Sequence, residues 1–523
     1  MGFTGRLGAK HLGGKEPGKE VEQTHEQVVV FKKEDYALMD LLSIAARNRK
    51  PIHGYVLREY PNNAVEKIIP GTRRGLLACW GFFYAQYLAA IYIYPFIVHQ
   101  PKSGLRSRPY TMNTILRLGN FDEGKMPASR TTFLEPYHTG MSNFLKLRKQ
   151  FRDEANGVWR GFVQVPGTAI RDLQQFLKDS GFMPKANVDG VFGYGTQAAV
   201  RLFQEYVRSI GQDPSIGVPD GVVGQNTLAK IEKWKADHAG QGQMLCEWGK
   251  SSAQKPAPEF ERWLGLLKSA QAFYSRNPGP ILQKTEAYTG ATDTKKLKDW
   301  DFSPNSIHLI GIRRSQEVGA ARRENDDLFV LLIRGMVFRF WGSTDPNPGL
   351  AERADIPFLV EGQHEYQFGW HKVNNNQTIY RALRPAGPGV LVFRDVDKNM
   401  ALTETDIDKG IDKKPNTTIN IHWSGIGTTN FSAGCQVIAG RSYLNNHGEL
   451  IDCSGFSAIS YADLAKGKTR GAYNVFADLI LSYAPPGVRT LRYTLGRDET
   501  FRNFPDWDAS FVDTDVRRMR GMA

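Results

Sequence analysis

The sequence predicts a multidomain α+β chain, with a helical N-terminal region, a small three-helix module and a mostly β C-terminal domain. Three observations predict it. At 523 residues the chain exceeds what one hydrophobic core organises, since domains run about 100–200 residues. Between Val165 and about residue 235, apolar positions recur at helical spacing around two Asp-Gly turns of the same pattern. From about Ile307 the apolar residues fall in short runs rich in Val, Ile, Phe and Leu that end in Gly, Asp or Pro, which is the pattern of strands.

The N-terminus, MGFTGRLGAKHLGGKEPGKEVEQ, is polar and rich in Gly and Lys, so residues 1–24 read as a flexible tail. It has no apolar core segment, so it is not a secretory signal peptide. Residues 25–155 form an N-terminal region whose salient stretch is Gly75–Val98, GLLACWGFFYAQYLAAIYIYPFIV, with one Gln and no charge. About 20 apolar residues suffice to cross a bilayer, which makes membrane contact through 75–98 one reading. Four tyrosines and Pro95 favour the other, a helix buried in a soluble domain. The cysteines, Cys79, Cys246, Cys435 and Cys453, match neither a zinc pattern nor a disulfide scaffold. A net charge of +13 suits a polyanionic partner. There is no zinc finger, RNA-recognition signature or block of five basic residues, so nucleic acid is not the expected partner.

Residues 160–237 are the legible module. In AIRDLQQFLKDSGF, the positions Ile170, Leu173, Phe176 and Leu177 make one helical face, and Gly181 closes the helix. VDGVFGYGT then leads into TQAAVRLFQEYVRSIG, for which Thr196 is the expected cap. A second copy, PDGVVGQNT, precedes LAKIEKW, so Asp-Gly-x-x-Gly-x-x-Thr occurs at Asp189–Thr196 and again at Asp220–Thr227. This arrangement resembles the three-helix peptidoglycan-binding domain. Leu173, Gln174, Leu177, Gly181, Asp189, Gly190, Phe192, Gly193, Thr196, Ala199, Val200, Phe203 and Gln204 follow the family's motif. The resemblance implies binding of cell-wall glycan or stem peptide, with Asp189, Gly190, Phe192, Gly193, Thr196, Asp220 and Gly221 as the residues carried over. Peptidoglycan is therefore the expected partner.

Residues 238–289 are a linker and helix, with a Pro/Ala/Lys-rich start in SSAQKPAPEFERW. Residues 290–490 are the mostly β domain, and 491–523 are a C-terminal extension without a functional signal. The β domain contains NIHWSGIGTTNFSAGCQVI, residues 420–438. A nucleophilic cysteine needs a base, oxyanion donors and access. His422 ends the apolar run TTINIHW, and Ser432-Ala433-Gly434-Cys435 offers a hydroxyl, small residues and a thiol. If the flanking strands pair, His422 lies beside Cys435 and lowers its pKa. The N–H groups of Gly434 and Cys435 are the expected oxyanion donors, and Ser432 orients the loop or the imidazole.

This pattern resembles the catalytic domain of the L,D-transpeptidases, of YkuD-like type. The resemblance implies a cysteine nucleophile, Cys435, with His422 as base and Ser432 and Gly434 in the cysteine loop. It implies attack on a stem-peptide carbonyl, with release by an amine or by water, and no cofactor. The sequence departs from the family at Ala433, where His or Asn is usual. It departs again at Gln436 and Val437, where an apolar residue and Arg are usual. Hydrolysis therefore stands beside cross-linking as the expected outcome. Gln436, Trp423, His371 and Arg394 are the candidate substrate-contacting residues. His364 reads as a surface residue and Asp345 as a turn residue. Asp395, Asp397 and Asn399 mimic the start of a calcium loop, but Met400 stands at the glycine position and Asp406 at the closing Glu, so no metal is expected.

The expected protein is thus a peptidoglycan-targeting cysteine enzyme, acting in the periplasm or cell wall. Without a classical signal peptide, export runs by another route or through a membrane anchor. A secretion system delivering an antibacterial effector, or a phage tail carrying a lysin, would supply such a route. The rival readings are a non-catalytic wall-binding or virion structural protein, and another peptidoglycan hydrolase.

Overall fold

The architecture is that of a computed structural model. It describes residues 8–9, 27–31, 55–59, 115–125 and 163–521, apart from 185–186, 242–243, 250–255, 315–322, 348–355, 372–379, 431, 461–462, 464–467, 486–487 and 502–508. The chain divides into two compact units, Met1–Arg106 and Ser107–Ala523.

The described part of the first unit is β, where helix was expected. Strands β1 (Gly8–Ala9), β2 (Gln27–Phe31) and β3 (Tyr55–Glu59) form one sheet, β1 antiparallel and β3 parallel to β2. The β-branched run of Val28, Val29 and Val30 in QVVVF accounts for the central strand. Gly8–Ala9, expected in the tail, are paired. Gly75–Val98 lies outside the described residues. Among the described residues, no helix is long and apolar enough to cross a membrane.

The second unit begins with β4 (Asn120–Asp122) and β5 (Val163–Val165), a parallel pair. Helices α1 (Ala169–Asp179), α2 (Tyr194–Ser209) and α3 (Gln225–Asp237) follow, as the apolar spacing predicts. Gly181 takes φ +83, and Phe182 N–H donates to Leu177 O, so the glycine closes α1 as expected. Residues 115–125, assigned from sequence to the N-terminal region, belong to this module. Leu116 bridges Val223, Phe121 bridges Val191, and the Asp122 carboxylate accepts the N–H groups of Ile170 and Arg171, capping α1 from a distance.

Helices α4 (Pro258–Arg276) and α5 (Pro280–Ala287) lead into the sheet. Its strands are β6 (His308–Arg313), β7 (Asp327–Ile333), β8 (Met336–Ser343), β10 (Gly362–His371), β11 (Tyr380–Pro385), β13 (Ile421–Trp423), β14 (Gln436–Ile438), β15 (Ser442–Leu444), β16 (Leu450–Asp452) and β17 (Thr490–Arg497). The order β14-β13-β11-β10-β17-β6-β7-β8 closes on itself, because Ser343 and Gly342 at the end of β8 pair with Val437 and Ile438 of β14. Gly342 permits the closure, since a Cβ there would occupy the position of the Val437 carbonyl. A separate pair, β9 (Pro357–Leu359) with β12 (Val392–Arg394), flanks the ring. Between β12 and β13 lies the short helix α6 (Glu404–Lys409).

Successive residues of β7 alternate between two cores, as strand geometry requires. Leu328, Val330 and Leu332 pack with Trp263 and Leu267 of α4 and with Val512 and Val516 of a C-terminal helix. Phe329, Leu331 and Ile333 share a core with Phe476 and Leu479 and with the three-helix module. Residues 472–483 form α7, α8 is Asp498–Phe501, and Ala509–Arg520, expected as extension, forms α9.

The module is therefore not a bead on a linker. Helix α2 is buried along nearly its whole length. Asp478 of α7 pairs with Arg201 of α2 and, at 2.8 Å, with Arg381 of β11, all three being buried. Glu205 of α2 bonds the Tyr443 hydroxyl on β15, and Arg208 pairs with Glu449 at 2.9 Å. Burial pushes the Glu205 carboxyl up to about 8, with the Tyr443 hydrogen bond opposing.

Candidate active site

The sheet brings the cysteine and two histidines together. Strands β13 and β14 run parallel, with Ile421 opposite Gln436, so Asn420 sits opposite Cys435 just before the two strands begin. The Asn420 N–H donates to Cys435 Sγ at 3.3 Å, and the thiol donates to Thr418 O at 3.3 Å. His422 follows on β13. His371, at the end of β10, stacks on it with ring centroids 3.9 Å apart and planes at 21°. Donor atoms of His371, His422 and Cys435 all lie within 4.8 Å of one another.

His422 is buried and held from behind. Its Nδ1 lies 2.9 Å from Trp423 O and 2.9 Å from the Tyr380 hydroxyl. A carbonyl only accepts, so Nδ1 carries the proton of the neutral ring and Nε2 keeps its lone pair. Cys435 is half-buried. The protein packed around its sulfur pushes the thiol pKa up, opposed by the Asn420 N–H, by Ser432 and by the Arg384 charge. The expected lowering by His422 is thus corrected: desolvation outweighs the neighbours. The resting thiol keeps its proton and needs a base at the moment of attack.

The cysteine loop is braced rather than open. Ser432 N–H donates to Asn430 Oδ1 at 2.7 Å, and Ser432 Oγ accepts the Gly434 N–H at 3.2 Å. Ser432 therefore orients the loop, and the Gly434 N–H is committed to it. Among the described residues, the Cys435 N–H has no acceptor, which leaves it as a donor for a developing oxyanion. At Gly434 a Cβ would come within 2.6 Å of Pro357 Cγ, so any larger residue would displace β9 or the turn.

The four expected substrate-contact residues lie in different surroundings. Gln436 is fully buried; its amide donates to Thr344 O at 3.0 Å and accepts the Tyr493 hydroxyl at 2.9 Å. Neighbours in a strand face opposite ways, so the residue after the nucleophile points into the core. Trp423 is buried too, with the Arg470 guanidinium over its ring. Arg394 is tied to Asp412 by two nitrogens, at 2.9 and 2.7 Å. His371 joins Cys435 and His422 in one cluster. His364 is a correction as well: it is fully buried between Thr294 and the Val360 carbonyl, and burial holds it down at about 3. Asp345 is buried against Arg313 at 3.0 Å. Asp395 and Asp406 spend their oxygens on backbone N–H groups, those of Asn399, Met400, Val396 and Thr403.

Sequence reasoning missed Asn420, Tyr380 and Arg384. Asn420 was within reach of it, since it stands two residues before His422 and strand alternation puts both on one face. Its side-chain amide lies 3.0 Å from His371 Nδ1. Tyr380 and Arg384 enter through β11, far away in sequence.

In the module, the two turns have one design. Gln174 of α1 accepts the Asp189 and Gly190 N–H groups and donates to Asp189 Oδ1, Val191 O and Thr196 Oγ1, at 2.8–3.0 Å. Gln204 of α2 repeats this with Gly221, Asp220, Val222 and Thr227 at 2.9–3.0 Å. Gly190 and Gly221 both take φ +79, a conformation that requires glycine. Phe192 and Thr196 are buried, and Gly193, not Thr196, is the α2 cap. Thr196 is instead the partner of Gln174. The motif residues hold the turns, and only Asp189 among them is exposed.

Residues 166–208 match the family model of the peptidoglycan-binding domain, which covers α1, the first turn and α2. A peptidoglycan-binding helical module is therefore present, and it supports association with the cell wall. No curated protein and no solved structure matches the chain.

Proposed function

We propose that the chain is a peptidoglycan-directed cysteine enzyme that acts on stem peptides through a thioester intermediate. The observation that carries this reading is the convergence of Cys435 with His422, whose Nδ1 is held by the Trp423 carbonyl. His422 Nε2 takes the thiol proton as sulfur attacks the stem-peptide carbonyl. The Cys435 N–H donates to the resulting oxyanion. Collapse expels the leaving amine, which takes the proton from the imidazolium, and the acyl group stays on sulfur as a thioester. Water then gives a shortened stem, or a second amine gives an exchanged or cross-linked one. Catalytic hydrogen bonds that are long at rest tighten in the substrate complex, which suits donors gathered within 4.8 Å. Because the module shares a core with the sheet, it would present the wall at a fixed geometry to the thiol rather than raise local concentration through a tether.

The test is to incubate purified sacculi with the wild-type chain and with Cys435→Ala, then analyse muropeptides by mass. Shortened stems lost in the variant would indicate peptidase action, and exchange products lost in it would indicate transpeptidation. Identical profiles would overturn the enzyme reading in favour of a wall-binding protein.

A further inference from the structure

We infer that Cys435, His422 and His371 form a site for a divalent transition metal of the zinc type. Thiol acyl chemistry needs one imidazole, and the cluster has two. The second ring has no role in the steps above, yet it is stacked on the first at 3.9 Å. Two imidazolium rings in that position would repel. Two neutral rings do not repel in this way; their in-plane lone pairs run side by side at 21°, and a small splay of the rings turns both towards one dication.

Both rings are held from behind. His422 Nδ1 faces the Trp423 carbonyl at 2.9 Å, and His371 Nδ1 faces the Asn420 amide at 3.0 Å. Histidines that bind metals characteristically have their other nitrogen fixed in this way, which sets the tautomer and aims Nε2. Asn420 is 6% exposed, and its Oδ1 is buried without a partner. Turned so that this oxygen meets the ring, the amide accepts the Nδ1–H of His371 and leaves Nε2 as the donor. Among the described residues the cluster contributes two nitrogens, one sulfur and no carboxylate, a set that suits zinc and not calcium or magnesium. Tetrahedral zinc, with bonds of about 2.0–2.3 Å, sets its ligands roughly 3.3–3.6 Å apart, so side-chain rotations of about 1 Å close the observed 4.8 Å limit. The sulfur–metal bond forms with loss of the thiol proton to solvent and no change of oxidation state. Three protein ligands leave a fourth position for water.

This inference shares Cys435 with the proposed function and gives that function a control, since sulfur bound to metal cannot attack a carbonyl. Cobalt(II) added to the metal-free full-length chain reads the site directly. Expected are one equivalent bound, a thiolate-to-cobalt charge-transfer band, and displacement by zinc. The band vanishes in Cys435→Ser, and the ligand-field bands change in His371→Gln. Asn420→Ala weakens binding about 10–100-fold. A cobalt spectrum indifferent to both ligand substitutions overturns the site. Muropeptide assays with and without chelator keep the two ideas apart. Activity released by chelation supports both. Metal binding without turnover in either state removes the enzyme reading and leaves the site standing. Turnover without a Cys435-dependent spectrum removes the site alone. Activity that requires zinc keeps the site and replaces thiol attack with attack by metal-bound water.

Discussion

The twin turns of the module and the turn that carries Cys435 are both tight and glycine-containing, and they are used in opposite ways. At Asp189-Gly190 and at Asp220-Gly221, one glutamine from the preceding helix meets the carboxylate, the backbone and the threonine beyond. At Ser432–Cys435 the bracing stops short. The thiol is half-buried with its pKa pushed up, and two histidine rings converge on it. Polar groups that satisfy one another make a scaffold, whereas groups left perturbed and converging mark a place where something else binds. The difference also explains why a family motif can be so clear: Gln174, Gly190 and Thr196 follow the pattern because together they hold the turn closed.

The largest test of this contrast is chemical. Cys435→Ala lowers the rate of muropeptide conversion by about 10⁴-fold or more, while the melting temperature stays close to wild type. A large loss of stability instead would make the cysteine turn a scaffold like the others. Next comes the seam between module and sheet. Asp478→Ala strands Arg201 and Arg381 in the core and costs about 3–5 kcal/mol. Urea unfolding, followed by tryptophan fluorescence, shows module and sheet melting together in the wild type; two separated transitions there would make them independent domains.

The two glutamines sharpen the comparison within the module. Gln174→Ala and Gln204→Ala each leave buried turn donors unpaired and each cost about 1–3 kcal/mol in chemical denaturation. Unequal costs outside that range would break the equivalence of the turns. The last test reads a slope rather than a single cost. Glu205 titrates at about 8 when folded against 4.5 as its ordinary value, so between those pH values the folded state holds a proton that the unfolded state has lost. Stability is full below about pH 4.5 and falls by about 1.4 kcal/mol per unit as pH rises towards 8. Glu205→Gln removes that part of the slope in stability measured across this range; an unchanged slope would mean that Glu205 is charged at the seam.

The sequence by itself determined the local pieces. The spacing of Ile170, Leu173, Phe176 and Leu177 makes α1, because a 3.6-residue period has only one face to bury. The repeated Asp-Gly fixes two turns, because only glycine takes φ +79 without strain. Cys435 and His422 were legible as a pair because His422 lies in β13 and Cys435 immediately precedes its neighbour β14, a short distance on in the chain. The tertiary structure decided the rest. Whether Gln436 met substrate or core depended on which face of β14 the ring of strands enclosed. His371, Tyr380 and Arg384 come from strands whose distance along the chain says nothing of their distance in space. Nor does any local pattern reveal that Arg201 and Glu205 of α2 are partners of Asp478 and Tyr443. A helix announces its apolar face in its own period, but the burial of its polar face depends on what packs there, and that is a property of the whole chain.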